Sequence, residues 1–294
     1  MTEVTVVIAT RDRRAGLERT LRELRGDAEA PATVVVDNGS GDGTPDMLAA
    51  RFPDVRVLAL GRNAGAVARN HGVAAARTPY VAFADDDSWW APGALARAAR
   101  HLDAAPRLAL VAARTLVGPG EWLDPMSAFM AQAPLGTPDD LPGPSVLGFL
   151  ACAAVVRRDA FLACGGFDPV VFFMGEEARV TLDLRTAGCG LAYCDDVVAH
   201  HHPRADAAGR AAKRLLAARN RALTAWMRRP ARIAVRESVA LLTAARADPA
   251  ARGAAWQLLR RLPGALARRR PVPAEVEREL AALAAAEQRH CAAS

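Results

Sequence analysis

The sequence predicts an α/β protein with a mostly parallel sheet and helices on both faces. Over the first hundred residues, short apolar runs alternate with helical patterns, the order that builds parallel sheets. Two of those runs stop abruptly at carboxylates: Val34–Val36 at Asp37, and Tyr80–Ala84 at Asp85, Asp86 and Asp87. The composition, 51% hydrophobic and 24% charged over 294 residues, excludes a disordered chain. It allows one large α/β domain with an appendage, or two modest domains.

The first strand is expected at Val4–Ala9. A helix follows with Leu17, Leu21 and Leu24 on one face, at helical spacing. Val34–Val36 forms the second strand, and Thr44 and Pro45 open the next helix as N-cap and first-turn proline. A third strand over Val55–Leu60 precedes a small-residue helix, Ala66 to Ala76. The strand Tyr80–Ala84 precedes a helix opened by Pro92, and Leu108–Ala112 adds another strand. Residues 116–145, with six prolines, read as an irregular lid or acceptor-binding insert. The apolar run Val146–Val156 is expected to resume a central strand, followed by a helix from Glu176 to Ala187 and short strands at Leu191–Cys194 and Val197–His200. Beyond Pro203 the pattern is helical with arginine-rich faces, and breaks are expected at Pro230, Pro263 and Pro271.

Charge divides the chain. Residues 1–202 carry 19 basic and 25 acidic side chains, whereas residues 203–294 carry 19 basic and 7 acidic, a balance of +12. Such a split fits a catalytic part that manages its own cations and a basic part that meets lipid headgroups, a phosphorylated acceptor or nucleic acid. Lys213 is the one lysine among 38 basic residues. Cys152, Cys164, Cys189, Cys194 and Cys291 show no CxxC pairing, which fits reduced thiols in a cytosolic protein. Met1 leads almost directly into the first strand, so no signal peptide is expected. The longest apolar run, Val146–Val156, is too short to cross a bilayer. The chain is therefore expected to be cytoplasmic, at most peripheral at the inner face of a membrane.

Three adjacent carboxylates at a strand tip repel one another unless a cation sits among them. Mg2+ and Mn2+ favour such oxygen ligands and commonly hold nucleotide phosphates. In a D-x-D arrangement Asp85 and Asp87 point the same way and can share a metal, although one aspartate can instead serve a helix N-terminus. An open α/β sheet places its ligand crevice at the carboxyl ends of strands, which makes Asp37 a candidate contact to a base or ribose. The neighbouring Asp42, Gly43 and Thr44 read as turn and cap residues. In Phe172-Phe173-Met174-Gly175-Glu176-Glu177, two carboxylates follow aromatic residues. They read as helix-start charge, or as a base whose pKa burial raises towards working pH. Of the triplet His200-His201-His202, strand alternation lets His200 and His202 share a face, with His200 the candidate third metal ligand or phosphate donor. Arg62-Asn63 and Arg69-Asn70 flank a helix start where phosphate can bind. Arg219-Asn220-Arg221 is read as structural.

The ordered set VVIATRDR, VVVDNGSGDGT, GRNAGAVARNHG, YVAFADDD, GGFD…FFMGEE and RNRA resembles the family 2 glycosyltransferases of the GT-A fold over residues 3 to 225. The resemblance implies inverting transfer of one sugar from a nucleotide-sugar donor to an acceptor hydroxyl. It implies nucleotide recognition by Thr10, Arg11 and Asp37, with Asn63 and Arg69 nearby, and Mg2+ or Mn2+ held by Asp85 and Asp87; the residue reading adds Asp85 and Asp86 as donor contacts and His200 as a further metal ligand. The resemblance makes Glu177 the base with Glu176 in support, although the family pattern ends in Glu-Asp. Gln257 and Arg260 are followed by Arg261 where processive relatives carry tryptophan, so the chain looks non-processive. The resemblance also divides the chain into a donor half over residues 1–115, an acceptor and catalytic half over 116–202, and a basic helical extension over 203–294. Expected partners are a nucleotide-sugar and a glycan, lipid-linked or small-molecule acceptor, with an anionic membrane surface for the extension and no nucleic acid. A nucleotidyltransferase would share the sheet and metal, yet Ala9-Thr10-Arg11-Asp12-Arg13 lacks the glycine-rich loop expected there. A non-catalytic binder of anionic surfaces would not need Asp85–Asp87 and Glu177 together.

Overall fold

A computed structural model of the chain describes residues 3–26, 30–203 and 209–293. Five strands and four helices build the first half in near-regular alternation: β1 (Val4–Thr10), α1 (Arg14–Arg25), β2 (Ala32–Asp37), α2 (Thr44–Arg51), β3 (Arg56–Ala59), α3 (Val67–Ala75), β4 (Tyr80–Ala84), β5 (Ser88–Trp90) and α4 (Ala94–Ala104). The second half adds β6 (Leu108–Val117), β7 (Trp122–Leu123), α5 (Pro125–Ala131), β8 (Ala154–Arg157), α6 (Arg158–Ala163), α7 (Glu177–Thr186) and β9 (Gly190–His201). Four helices complete the chain: α8 (Gly209–Arg228), α9 (Ala231–Ala247), α10 (Pro249–Ala267) and α11 (Ala274–Ala293).

The strands form a nine-stranded sheet in the order β3-β2-β1-β4-β8-β6-β9-β5, with β7 hairpinned onto β6. β1, β2, β3 and β4 are parallel, with Thr10 opposite Asp37 and Ile8 opposite Ala84. The chain winds one way from β1 through β2 to β3, then returns to place β4 on the other side of β1. That reversal opens a crevice at the carboxyl ends of β1 and β4. β8 runs antiparallel to both β4 and β6, and the edge strand β5 antiparallel to β9, so the sheet is mixed.

Alternation along the buried strands divides the core. Val4, Val6 and Ile8 of β1, with Tyr80, Ala82 and Ala84 of β4, join Leu17, Leu21, Leu48 and Leu102 of α1, α2 and α4 on one face. Val7, Val81 and Phe83 point the other way, towards Val73, Phe161 and Val180 of α3, α6 and α7. Phe83, Phe161 and Phe167 meet there with ring centroids 5.3 to 5.6 Å apart. A third apolar cluster joins α8, α9 and α10 to Val170 and Val171, so the C-terminal helices are built onto the segment that precedes Glu176.

Several elements differ from the sequence reading. Of the run Val146–Val156 only its last three residues, from Ala154, enter a strand (β8); Val146 instead donates its amide to the Leu191 carbonyl at 3.1 Å, and the segment bends through the core. A buried apolar run satisfies its burial without strand geometry, and hydrophobicity alone does not separate the two. Residues 116–145 hold β7 and α5. The two short strands around residue 195 are one strand, β9, with a register shift against β6 between Ala113 and Arg114. Gly43, at φ 81°, takes the cap position of α2, while Asp42 accepts the Thr44 amide at 3.1 Å. Pro263 breaks nothing: it lies on the exposed side of α10, where water can satisfy the carbonyl it frees. The break falls at Asp248, whose carboxylate caps α10 by accepting the Ala250 amide at 2.8 Å.

Candidate active site

A cleft of about 570 Å³ opens where β1 and β4 end, a volume typical of small-ligand sites. Its walls include Thr10, Arg11 and Arg13 from the end of β1 and the turn after it, Asn38 after β2, and Asn63, Gly65 and Arg69 at the start of α3. Asp85, Asp86 and Asp87 form its floor, and Phe172, Phe173, Met174, His201 and Lys213 close it. Another cavity, of about 460 Å³, lies between Leu24, Arg25, Thr33 and Thr78, at the amino ends of the strands, away from the carboxylates.

The three aspartates are each held differently. Asp85 pairs with buried Arg69. Asp86 accepts the Thr10 hydroxyl at 3.0 Å and Arg13 Nε at 3.1 Å. Burial pushes its pKa up to about 6, against the opposing Arg13 charge. Asp87 accepts from Arg13 at 2.9 Å and faces His201 Nε2 at 3.5 Å. Against a burial effect that would raise it, His201 and Arg13 hold the Asp87 carboxyl below its ordinary range. The same Asp87 charge outweighs burial at His201 and raises that imidazole.

Behind Arg69 lies the acidic pair. Glu176 is buried, with Oε1 3.6 Å from Arg69 Nη1 and Oε2 lacking a hydrogen-bond partner among the described residues. Glu177 begins α7 and is half-buried. Burial raises both carboxyls, and each carries a neighbouring negative charge that adds to the shift: Glu176 for Glu177, and Asp85 for Glu176. Arg69 therefore bridges a strand-tip aspartate and a carboxyl pair that holds its protons unusually high.

The segment leading to this pair is strained and clamped. Phe172 and Met174 adopt left-handed backbone at φ 72° and 71°. The Phe172 carbonyl accepts the Ala66 amide at 2.7 Å, and this approach needs Gly65, where a Cβ would sit 2.3 Å from that carbonyl oxygen. From α8, fully buried Asn220 donates to the Phe173 and Met174 carbonyls at 2.5 and 2.6 Å. Arg219 donates to the Val171 carbonyl and to Asn220 Oδ1, orienting its amide.

Thr10, Arg11, Asn63, Arg69, Asp85, Asp86 and Asp87 thus come together in one cleft. Four expected residues lie outside that lining: Glu176 and Glu177, which sit behind Arg69, and Asp37 and His200. Asp37 does not line the cleft; its buried carboxylate accepts the Ser40 amide at 3.2 Å, and the neighbouring Asn38 is the residue that lines it. His200 turns the other way, bonds Glu121 at 2.8 Å and stacks on Trp89, so the imidazole next to Asp87 is His201. The register of β9 with β5, Ser88 opposite His201, sets that parity. Arg13, Asn38, His201 and Lys213 were not assigned to the site from sequence, and Asn220 was read only as structural; β5, which fixes His201, had no recognisable pattern of its own. Among the described residues, the three potential metal ligands that converge within 4.8 Å are His101, Cys194 and Asp196, between α4 and β9 rather than in the cleft.

A sequence model of Glycosyl transferase family 2 matches residues 5–165. The N-acetylglucosaminyl-diphospho-decaprenol L-rhamnosyltransferase of Mycobacterium tuberculosis is 29% identical over 293 residues, covering 82% of this chain and 92% of that protein. The pre-mycofactocin glycosyltransferase of the same organism is 35% identical over 213 residues, covering 68% of this chain and 43% of that one. A mannosyltransferase from Pyrobaculum calidifontis, solved with GDP-Man and Mn2+, is similar in structure with a TM-score of 0.59 at 21% identity, over 99% of this chain and 76% of its own. S. aureus TarS 1-349 with UDP-GlcNAc gives a TM-score of 0.59 at 16% identity, over 76% and 65%. At these identities the structural likenesses are of fold.

Proposed function

The chain belongs to glycosyl transferase family 2 and has the GT-A fold, and on that premise we propose that it transfers one sugar, with inversion, from a nucleoside-diphosphate sugar to an acceptor hydroxyl. The observation that carries this reading is the Asp85–Arg69–Glu176 chain, which ties the acid pair, buried Glu176 and half-buried Glu177, to the strand-tip carboxylates of the cleft.

In this reading the nucleoside lies against Thr10, Arg11, Asn38 and Asn63, and the diphosphate over Asp85 and Asp87. The donor set suits a hard divalent cation: the strand-tip carboxylates offer oxygen ligands, and His201 and Arg13 keep Asp87 ionised. Mg2+ and Mn2+ typically take one or two protein carboxylates and complete their shell with substrate phosphates, so three converging protein ligands are not required. When bound, such an ion neutralises charge on the departing diphosphate. Arg11, Arg13 and Lys213 line the same space and add fixed positive potential there. Glu177, with Glu176 in support, takes the proton from the acceptor hydroxyl as its oxygen attacks the anomeric carbon opposite the leaving group. A carboxyl lifted by burial is better matched to that task near neutral pH than an ordinary one. No covalent intermediate is formed, so configuration inverts. The rhamnosyltransferase relative is named for a decaprenol-linked acceptor. A lipid-linked acceptor presented at a membrane surface is the corresponding reading for this chain.

The test is release of nucleoside diphosphate from a panel of nucleotide-sugars with Mg2+ or Mn2+, with the product's anomeric configuration read by NMR. Glu177→Gln and Glu176→Gln, singly and together, should bind the same donor and lose transfer. A double variant that transfers at the wild-type rate would refute the assignment.

A further inference from the structure

The helices α9 and α10 each bury one side against α8 and leave the other uncovered among the described residues. On α9, Ala234 and Leu241 are buried while Val235, Val239 and Leu242 are exposed at positions i, i+4 and i+7, one continuous stripe. On α10, Ala251, Ala254, Ala255, Leu258 and Ala265 face inward. Trp256, 62% exposed, with Leu259, Pro263 and Leu266, forms a second stripe on the outer side. Soluble helices seldom turn an apolar stripe and a tryptophan outward. Arginines fringe both stripes: Arg232, Arg236 and Arg246 on α9, and Arg252 and Arg260 on α10, all exposed. Acids offer little balance. Between residues 231 and 270 they are Glu237, already paired with Arg221 and Arg236, and Asp248, spent on the α10 cap.

We propose that the outer faces of α9 and α10 form an interfacial membrane-docking surface for anionic phospholipid, with Trp256 and the aliphatic stripes entering the headgroup boundary and the arginines meeting lipid charge. Both halves of the pattern find a partner there: the boundary accepts apolar side chains, and the anionic leaflet attracts basic ones. A second copy of the chain fits worse. A two-fold contact would set each arginine fringe against its own like. No helix of the described residues is long and apolar enough to cross a membrane, so the contact is of the surface type. The inference deepens the reading of a membrane-presented acceptor, but it is measured without donor or acceptor, so its failure is separate from any failure of the transfer reading.

The experiment is co-sedimentation of the full chain with vesicles of phosphatidylcholine alone or mixed with phosphatidylglycerol, at low and high salt. The expected result is binding to mixed vesicles that weakens with salt. Trp256→Ser/Leu259→Ser should weaken it by about tenfold or more. Arg252→Gln/Arg260→Gln should do the same by about tenfold or more. These side chains are exposed, so unchanged thermal melting shows that the variants remain folded. Absence of binding to mixed vesicles, or undiminished binding by both folded variants, overturns the proposal. So does a dimer, seen by light scattering, that Trp256→Ser dissolves, since the face then belongs to a second copy.

Discussion

Asn220 does not line the cleft itself but holds two residues that do, Phe173 and Met174, and its replacement should slow catalysis. Its side-chain amide donates to two successive carbonyls, Phe173 and Met174, in a segment where Phe172 and Met174 hold left-handed backbone. Each such residue stores about 1–3 kcal/mol that the surroundings must outweigh. Asn220→Asp keeps the shape and still accepts from Arg219, but it replaces the two donated bonds with a carboxylate oxygen facing carbonyl oxygens. Two lost bonds at about 1 kcal/mol each give about 2 kcal/mol against the native loop. That is up to about thirtyfold in the population that positions Glu176 and Glu177. Steady-state transfer at saturating donor should show a kcat reduced about ten- to thirtyfold, while nucleotide affinity changes less, because Asn38, Asn63 and the aspartates keep their places. A lower melting midpoint should accompany it. A variant with wild-type kcat and an unshifted midpoint would refute the clamp.

Other expectations concern the same region. Glu177→Gln should reduce transfer by about a hundredfold or more, the range of a positioned general base, with donor binding kept in calorimetry. Because burial raises Glu176 and Glu177 above their unfolded values, the native state binds more protons than the unfolded chain over that range. Their contribution to stability is present below the ordinary carboxylate range and lost as pH rises through the raised values, so the melting midpoint should fall across that window and flatten in Glu176→Gln/Glu177→Gln. Gly65→Ala, at φ 63° with a Cβ 2.3 Å from the Phe172 carbonyl, should destabilise by about 2 kcal/mol or more and abolish donor-induced stabilisation. Gly61→Ala, at φ 64° with no atom within 4 Å of the added carbon, should show only backbone strain of about 1 kcal/mol. Equal effects at the two glycines would contradict the close-approach explanation.

The first half of the chain was legible because its strands are buried on both faces and bounded by turns, so Val4–Ala9 and Tyr80–Ala84 stand out as short apolar runs. Asp85–Asp87 and Arg69 followed from that geometry, since strand tips and helix starts meet at the crevice. Where burial and element type part company, the sequence was silent. The segment before Ala154 is apolar because it crosses the core, not because it pairs. His200 and His201 differ only in strand parity, which a three-residue edge strand determines. Asp37 is held by a turn bond while the neighbouring Asn38 lines the cleft, and Asn220 gains its importance from a loop almost fifty residues away in sequence. Pro263 sits on a helix face open to solvent, where the usual penalty is relieved.

The sharpest test is a thermal-shift series with a nucleoside-diphosphate sugar, with and without Mn2+, on the wild-type chain, Asp87→Asn and Glu177→Gln. Mass action raises the midpoint of any form whose native state binds the ligand. The expected result is a rise that requires both sugar nucleotide and Mn2+, persists in Glu177→Gln and disappears in Asp87→Asn. An equal rise in Asp87→Asn, or no rise in the wild type for any donor tried, would contradict a cation-held diphosphate at the strand-tip carboxylates.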